Sequence, residues 1–249
     1  MPGLLVCLEY QCTCFWCANR ELVILIHRQS EKETGTVLSI SPPAITRRSF
    51  LLGLAVGFAR GSAASPKSLF DGESLRGWRR AGHGLWTVEE ACLVGRSDHA
   101  RPGPGYLFSQ ESYQDFDLRL EFWISRGGNS GVYVREPVRR WGTAGDERPA
   151  HGESAGYEVQ VDYNDPKNPT GSIYDRQRST KLVGAEERWN RLQIRCEGGT
   201  IRVWIEGDLV TVFSGARQQA GVIGFQVHGQ ESHDHVVKYR SIRIQPLDR

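Results

Sequence analysis

A strict alternation of apolar and polar residues runs through residues 116–124 and limits what this chain can fold into. The apolar positions are Phe116, Leu118, Leu120, Phe122 and Ile124, and most of the positions between them are polar. Successive side chains of a β-strand point to opposite faces, so a period of two predicts a strand with one buried face. The same pattern recurs over residues 131–135, 157–163, 192–196, 201–206, 221–228 and 236–244.

Glycine-rich turns separate these segments and favour an all-β domain. Gly198-Gly199 and Gly207-Asp208 fall between alternating runs, as hairpin turns do. No segment after residue 64 keeps a helical period for three turns. Many short antiparallel strands close into a sandwich or a barrel, and such folds reach about 250 residues as one unit. We therefore predict one globular domain at 65–249.

Residues 46–64 have the pattern of a twin-arginine signal peptide. Arg47-Arg48 precede an apolar stretch that ends at Ala59, and Ser62-Ala63-Ala64 offers a cleavage point. The stretch spans about ten residues, whereas a membrane-spanning helix needs roughly 20. We expect a periplasmic or secreted protein without stable membrane insertion. Residues 1–45 are predicted to be a non-globular extension, much of it upstream of the true translation start.

Cysteine and charge content narrow the possible partners. Four of the six cysteines lie within the first 20 residues, and Cys14-x-x-Cys17 has no second pair at zinc-finger spacing. Cys92 and Cys196 fall in strand-like segments and are predicted to be small buried residues. Residues 65–249 carry 25 basic and 25 acidic residues without the clustered basic face of a nucleic-acid binder. A neutral partner such as a carbohydrate fits this balance better.

Two predicted strands each collect polar side chains on one face. Alternation separates Glu158, Gln160 and Asp162 from Tyr157, Val159 and Val161. In the same way it separates Gly224, Gln226 and His228 from Ile223, Phe225 and Val227. Arg135 falls opposite Val132 and Val134. Antiparallel sheets also have ordinary solvent faces, but amides, imidazole and glycines in place of Lys, Thr and Ser favour a binding site.

Two loops flank these strands. Residues 136–156 show no alternation and contain Trp141 and His151, and loops longer than about 12–15 residues in compact domains are commonly functional. We predict that this loop borders the site. His233 and His235 are spaced for one face of a strand, which would suit a metal, but residues 230–235 have the pattern of a turn with solvated histidines.

Eight short motifs occur in the order found in one protein family. They span residues 68–78, 86–88, 128–135, 157–160, 170–174, 189–190, 224–229 and 239–244. Together they resemble the 3-keto-disaccharide hydrolase family over residues 68–247. The resemblance implies a concanavalin A-like jelly roll, a sandwich of two antiparallel sheets. Two departures concern the rim of the site: residues 230–235 are longer and richer in histidine than expected, and Ser241 stands where asparagine is usual.

The resemblance implies cleavage of a glycoside that is already oxidised at C3. The ketone acidifies the C2 proton, so that a base can remove it and the C1 substituent can leave. Water addition then completes a net hydrolysis. Glu158 and His228 are the candidates for base and acid in either order, and Arg135 would stabilise the enolate.

Further residues are candidates for binding. Gln160, Asp162 and Gln226 would orient sugar hydroxyls, and Asn129, Tyr174 and Trp141 are additional substrate-binding candidates. A divalent metal that polarises the ketone is an open alternative, with Glu158, Asp162 and His228 as its ligands. No nucleotide cofactor is expected.

The predicted partner is a carbohydrate substrate, supplied by an oxidoreductase that acts at C3. The spacing of the carboxylates identifies no acid and nucleophile pair for a two-carboxylate glycosidase. The rival interpretation is a non-catalytic, lectin-like carbohydrate-binding module, because jelly rolls host both roles.

Overall fold

The fold is taken from a computed structural model. The structure describes residues 10–16 and 22–28 by their backbone and residues 65–137, 156–229 and 235–247 in full. The twin-arginine motif, Trp141, His151 and His233 lie outside these residues. The chain divides into two compact units, Met1–Gly57 and Phe58–Arg249.

The first unit contains a hairpin that the sequence analysis did not predict. Strands β1 (Tyr10–Trp16) and β2 (Leu22–Arg28) pair antiparallel, with Tyr10 opposite Arg28 and Trp16 opposite Leu22. Both strands are rich in aromatic and β-branched residues, which favour extended backbone.

The second unit is a sandwich of two antiparallel sheets, as predicted. Its strands are β3 (Lys67–Ser68), β4 (Trp78–Gly82), β5 (Leu85–Glu89), β6 (Cys92–Arg96), β7 (Gly105–Tyr113), β8 (Phe116–Ile124), β9 (Ser130–Glu136), β10 (Tyr157–Val161), β11 (Asn190–Glu197), β12 (Thr200–Ile205), β13 (Asp208–Ser214), β14 (Gly221–Val227) and β15 (Val236–Pro246). A five-stranded sheet has the order β10-β9-β14-β7-β4. An eight-stranded sheet has the order β13-β12-β11-β8-β15-β6-β5, with β3 paired to β15. No described segment forms a helix of the length and hydropathy needed to cross a membrane.

The core consists of the apolar halves of the alternating segments. All five even-numbered apolar residues of β8 are buried, and Tyr157, Val159 and Val161 of β10 meet them from the other sheet. Cys92 and Cys196 are buried free thiols, which confirms their predicted place. Because the core takes one face of each strand, the polar residues of β10 and β14 lie on the outer face of the five-stranded sheet.

Candidate functional site

The candidate site lies on the outer surface of β10, β9 and β14. This surface, called the site face below, carries Glu158, Gln160, Asp162, Tyr133, Gly131, Gln226 and His228. Glu158 is the Cα partner of Tyr133, and Tyr133 is the partner of Gly224. Gln160 is likewise opposite Gly131. The structure therefore brings together the polar residues of two strands that are far apart in the sequence.

Glu158 lies directly over the glycine of the neighbouring strand. A Cβ placed on Gly131 would be 2.0 Å from Glu158 Oε1 and 2.7 Å from its Cδ. Tyr133 Oη donates to Glu158 Oε2 at 2.9 Å, and Gln226 Nε2 donates to Tyr133 Oη at 3.2 Å. The carboxyl group thus has one oxygen held by a phenol and the other in the space that the missing side chain of Gly131 leaves.

Burial changes the pKa values of Glu158 and Tyr133. It raises the pKa of Glu158 to about 7, and the charges of Glu136 and Asp175 add to the rise while the Tyr133 hydrogen bond opposes it. Burial also raises the pKa of Tyr133 well above its ordinary value. Near neutral pH, Glu158 is therefore poised to give or take a proton, and Tyr133 stays a neutral donor.

Two amides flank the same glycine. Gln160 is 2% exposed and Gln226 is 7% exposed, so both are nearly out of water. Ser130 Oγ donates to Gln226 O at 2.5 Å, which ties β9 to β14 beneath the site face. Buried amides can supply neutral donors and acceptors at fixed positions, which is how protein sites hold polar ligand atoms.

His228 and Asp162 lie at one end of the site face. The backbone N–H of His228 donates to Asn129 O at 3.1 Å, so Asn129 adjoins the end of β14. His228 Nδ1 is buried and has no hydrogen-bond partner in the described part of the chain. Burial lowers the pKa of His228 below its ordinary 6.5, while the charge of Asp162 opposes this. The imidazole of His228 is therefore neutral near pH 7.

Asp162 has a structural task as well. Its Oδ1 accepts from Asn164 N at 2.7 Å and from Asp165 N at 3.1 Å, as in an Asx turn. Burial raises the pKa of Asp162 above its ordinary value. We therefore place Asp162 beside His228 as an electrostatic neighbour and as the cap of the loop after β10.

The prediction that Arg135 faces the site is wrong. Its side chain is fully buried, and it donates to Gln114 O at 2.7 Å, Gly198 O at 2.9 Å and Arg217 O at 2.8 Å. It also pairs with Asp115 Oδ1 at 2.8 Å. The reason is a β-bulge: Arg135 has φ +53°, and β9 has two residues between Tyr133 and Glu136 where β14 has one between Val222 and Gly224.

The same bulge presents a residue that alternation hid. Glu136 is the partner of Val222, and it is fully buried. Its Oε2 accepts from Gly156 N at 2.9 Å, and its charge acts on both Glu158 and Tyr133. Uninterrupted alternation would have put Glu136 on the core side, so no pattern in the sequence could identify it. Tyr133 and Gly131, in contrast, alternate with the buried Val132 and Val134, so the pattern places them on the site face, and the sequence analysis overlooked them.

Tyr174 lies at the open rim of the site. Residues 170–174 run along the free edge of β10, where Gln160 N donates to Ser172 O and Tyr174 N donates to Glu158 O, both at 2.9 Å. The Tyr174 side chain is 42% exposed. This position allows contact with a ligand that extends beyond Glu158.

The candidate metal ligands do not form a metal site. Among residues 65–137, 156–229 and 235–247, no three His, Cys, Asp or Glu side chains lie close enough to hold an ion. Glu158, Asp162 and His228 all fall within these ranges, so they are not gathered as a ligand set.

Comparison with known proteins decides the family. Residues 65–245 match the model of the 3-keto-alpha-glucoside-1,2-lyase-like domain. The chain belongs to this family. A relative named 3-keto-disaccharide hydrolase, from Bacteroides thetaiotaomicron, is 24% identical over 73% of this chain and 78% of its own length. This relative bears the name of the family that the sequence motifs resemble, which confirms that resemblance.

Solved structures agree on the fold of this lyase-like domain. A crystal structure of a proposed glycosyl hydrolase from Parabacteroides distasonis has a TM-score of 0.57 at 21% identity, over 74% of this chain and 94% of the other. A Bacillus subtilis protein of unknown function with a galectin-like fold has a TM-score of 0.51 at 13% identity, over 74% and 96%. At these identities the likeness concerns architecture alone, and it confirms the jelly roll.

Proposed function

We propose that this member of the lyase-like family cleaves glycosides whose sugar carries a ketone at C3, by elimination and hydration. One observation carries the proposal most directly. A half-buried carboxyl group, Glu158, is held by Tyr133 in the place that a side chain at Gly131 would take, on the same face as a half-buried imidazole, His228. Acid and base chemistry on a polar substrate needs such a pair.

Glu158 is the proton donor to the leaving oxygen. Its pKa of about 7 keeps part of it protonated at neutral pH. Oε2 accepts from Tyr133, so the proton resides on Oε1, over Gly131. The proposal places the glycosidic oxygen against this Oε1.

His228 is the base that removes the C2 proton. Its lowered pKa keeps the imidazole neutral, so that the ring can accept a proton. Asp162 raises the affinity of the ring for the proton it receives, since its charge stabilises the imidazolium. The two pKa shifts support His228 as the base and Glu158 as the acid, an order that the sequence left open.

The enolate oxygen requires donors other than Arg135. Gln160 and Gln226 are buried on the site face, on strands either side of Gly131. Gln226 uses one N–H on Tyr133 and keeps a second for a ligand. Neutral, preorganised amide donors of this kind stabilise developing oxyanions.

The bonds then change in order. His228 takes the C2 proton, the C–H electrons form the C1=C2 bond, and the C1–O bond breaks as Glu158 protonates the departing oxygen. Water next adds to C1 of the unsaturated ketone, with ionised Glu158 accepting its proton. The imidazolium of His228 returns its proton to C2. The products are the free 3-keto sugar and the alcohol.

A direct assay tests this proposal. The purified protein is incubated with a methyl 3-keto-glucoside and with its unoxidised parent, and the released sugar is measured. We expect release from the keto form alone, reduced at least about 100-fold in Glu158→Gln and His228→Gln. Glu197→Gln, on the outer face of the other sheet, is the matched control. Binding of both sugars without turnover of either would favour the lectin-like module and overturn the proposal.

The pH profile supplies an independent measurement. The base must be neutral and the acid protonated, so kcat/KM should rise with pH below 6.5, as His228 loses its proton, and fall above about 7, as Glu158 does. The Glu158→Gln variant should lack the alkaline limb in its residual activity. An alkaline limb that persists in that variant would assign the titration to another group.

We also propose that the protein is exported by the twin-arginine route and receives its substrate from an oxidoreductase that acts at C3. The Arg47-Arg48 motif supports the first point, and the chemistry of the ketone supports the second. Replacement of both arginines by lysine should retain the protein in the cytoplasm on cell fractionation. Unchanged localisation would contradict the export proposal.

A further inference from the structure

Two residues of β9 act on the proton of Glu158 in opposite ways. Tyr133 donates a hydrogen bond to Glu158 Oε2, and Glu136 is a fully buried carboxyl group three residues further along the same strand. The proposed reaction uses Glu158 as the acid and gives Glu136 no task. Both Tyr133 and Glu136 are fixed by contacts within the protein.

Tyr133 is held at its ring and at its hydroxyl group. The ring centroid lies 5.9 Å from that of Tyr106 and 6.2 Å from that of Phe108, edge-on in both cases. The hydroxyl accepts from Gln226 Nε2 at 3.2 Å and directs its own proton at Glu158 Oε2 at 2.9 Å. A hydrogen bond donated to a carboxylate stabilises the ionised form. Tyr133 therefore favours release of the Glu158 proton.

Glu136 occupies the place that a side chain at residue 156 would take. Gly156 N donates to Glu136 Oε2 at 2.9 Å, and a Cβ on Gly156 would lie 2.7 Å from that oxygen. Side chains two residues apart on a strand share one face and are about 7 Å apart. The Glu136 carboxyl group is therefore held beside Glu158 along the face of β10. The bulge in β9 brings it there, opposite Val222.

A carboxylate at this place opposes the ionisation of Glu158. Like charges this close, in a site with little water, each favour the protonated form of the other. Burial raises the pKa of Glu158 most, the Tyr133 hydrogen bond lowers it, and the charge of Glu136 raises it. The two residues of β9 thus act in opposite directions on one carboxyl group.

Other titratable groups act on Glu158 less directly. Asp175, beyond the edge of β10, raises the pKa of Glu158 through its charge, but it is exposed and therefore screened by solvent. Burial raises the pKa values of Tyr174 and Tyr239, so both stay neutral where Glu158 titrates. In the described part of the chain, only Tyr133 donates to the Glu158 carboxyl group. The remaining titratable groups of the site face are His228 and Asp162, at its end.

From this geometry we infer that Tyr133 and Glu136 are positioning residues that fix where the Glu158 proton lies and how readily it leaves. Tyr133 engages Oε2 and leaves the proton to Oε1, while Glu136 keeps the carboxyl group from ionising at lower pH. Neither residue contacts the substrate in this scheme. The inference rests on the proposed function for the use of that proton, but not for how the protein holds it.

The test follows the side-chain carboxyl carbon of Glu158 by NMR across a pH titration. Full-length protein is labelled with isotopic glutamate, and the signal is assigned by its loss in Glu158→Gln. Tyr133→Phe keeps the ring and removes the donor, so the Glu158 titration should move to higher pH by about one pH unit. Glu136→Gln keeps an acceptor for Gly156 N and removes the charge, so the titration should move to lower pH by about half a pH unit or more. The double variant should titrate between the two single variants.

Two matched variants away from the site are the controls. Tyr113→Phe removes a comparable hydrogen bond, from Tyr113 Oη to Glu111 Oε2 at 2.8 Å, and Glu197→Gln removes a carboxylate from the other sheet. Both should leave the Glu158 titration where it is in the parent.

Opposite directions exclude a merely structural role. A loosened fold would admit water to Glu158 and move its titration to lower pH in both β9 variants. Shifts in the same direction for Tyr133→Phe and Glu136→Gln, or no shift in either, would therefore overturn the inference. If one of the two does not fold, the other still decides, because each has its own expected direction.

Turnover separates this inference from the catalytic proposal. With a methyl 3-keto-glucoside, the alkaline limb of kcat/KM should move to higher pH in Tyr133→Phe and to lower pH in Glu136→Gln. Opposite shifts of the carbon signal in a protein that releases no sugar would support the inference and contradict the catalytic proposal. Turnover by both variants, with the alkaline limb and the carbon titration of the parent, would overturn the inference and leave the catalytic proposal in place.

Discussion

The two sheets both have an outward face, and the two faces differ in how they treat charge. The outer face of the eight-stranded sheet carries exposed ion pairs, among them Arg195 with Glu197 at 2.9 Å. On the site face, Glu158 is held by a phenol instead of a cation and lies over a glycine. A solvent face keeps its charges hydrated and paired, whereas the site face buries two amides and holds a half-buried carboxyl group whose pKa is raised. This contrast, more than polarity itself, distinguishes a site from a solvent face.

The largest expected effect is on the free energy of unfolding, where a change at the buried Arg135 should cost far more than one at the exposed Arg195. Arg135→Met should lower the free energy of unfolding by about 3–5 kcal/mol, because it removes the buried guanidinium that donates to three carbonyls and pairs with Asp115. Arg195→Met removes an exposed pair and should change it by less than about 0.5 kcal/mol. Denaturant unfolding measures both values.

A second arginine variant probes the correction made to the site. Arg135→Lys keeps the charge but cannot reach all four acceptors, so it should lose stability. Its kcat/KM should stay within about three-fold of the parent, since the substitution weakens the fold and changes no group that we place against the substrate. If a folded Arg135→Lys protein lost turnover by two orders of magnitude or more, Arg135 would have a role in the reaction.

The next effect concerns the glycine under the carboxyl group. Gly131→Ala places a Cβ 2.0 Å from Glu158 Oε1 and must displace that side chain, which should lower kcat/KM by about 100-fold. Gly199→Ala is the matched control, because its Cβ meets nothing nearer than Ala216 O at 3.4 Å. Neither glycine has a positive φ, so backbone strain does not confuse the pair. Equal kcat/KM values for the two variants would show that the position of Glu158 over Gly131 does not matter.

Alternation predicted the sandwich and most of the site face because burial of one strand face follows parity. Tyr157, Val159 and Val161 are in the core, and Glu158, Gln160 and Asp162 are opposite, as the pattern required. Parity fails after a bulge, since one extra residue exchanges the faces. Arg135 was therefore placed on the wrong face, and Glu136, which the sequence analysis left in the loop of residues 136–156, was missed, since no residue type at those positions indicates the bulge. The hydrogen bond from Tyr133 to Glu158 depends on which strands are neighbours, which one sequence does not state.

A smaller effect follows from the pKa of Glu158. Its folded value of about 7 lies above the ordinary 4.5, so the stability that protonation contributes is present below about 4.5 and is lost as the pH rises through 7. Glu158→Gln does not titrate and should become more stable than the parent by about 1–3 kcal/mol at pH 8, with little difference at pH 4. Thermal unfolding across this range measures it. Glu197→Gln should show no such gain, because its ion pair lowers the pKa of Glu197.

The smallest effect concerns a bulge on the solvent face. Ser241 has φ +54° and is exposed, and β15 has two residues between Arg240 and Arg243 where β8 has one between Arg119 and Glu121. Left-handed backbone costs an ordinary residue about 1–2 kcal/mol, and asparagine tolerates it better than serine does. This explains why asparagine would be expected at this position of the family. Ser241→Asn should stabilise the fold by about 0.5 kcal/mol, a rise of about 1–2 °C in Tm, without a change in turnover. Arg135→Asn, at the same φ in the buried bulge, should instead destabilise, because there the side chain's hydrogen bonds outweigh the backbone preference. If both substitutions stabilised the protein, the backbone alone would govern the two bulges, and the contrast between the faces would not extend to them.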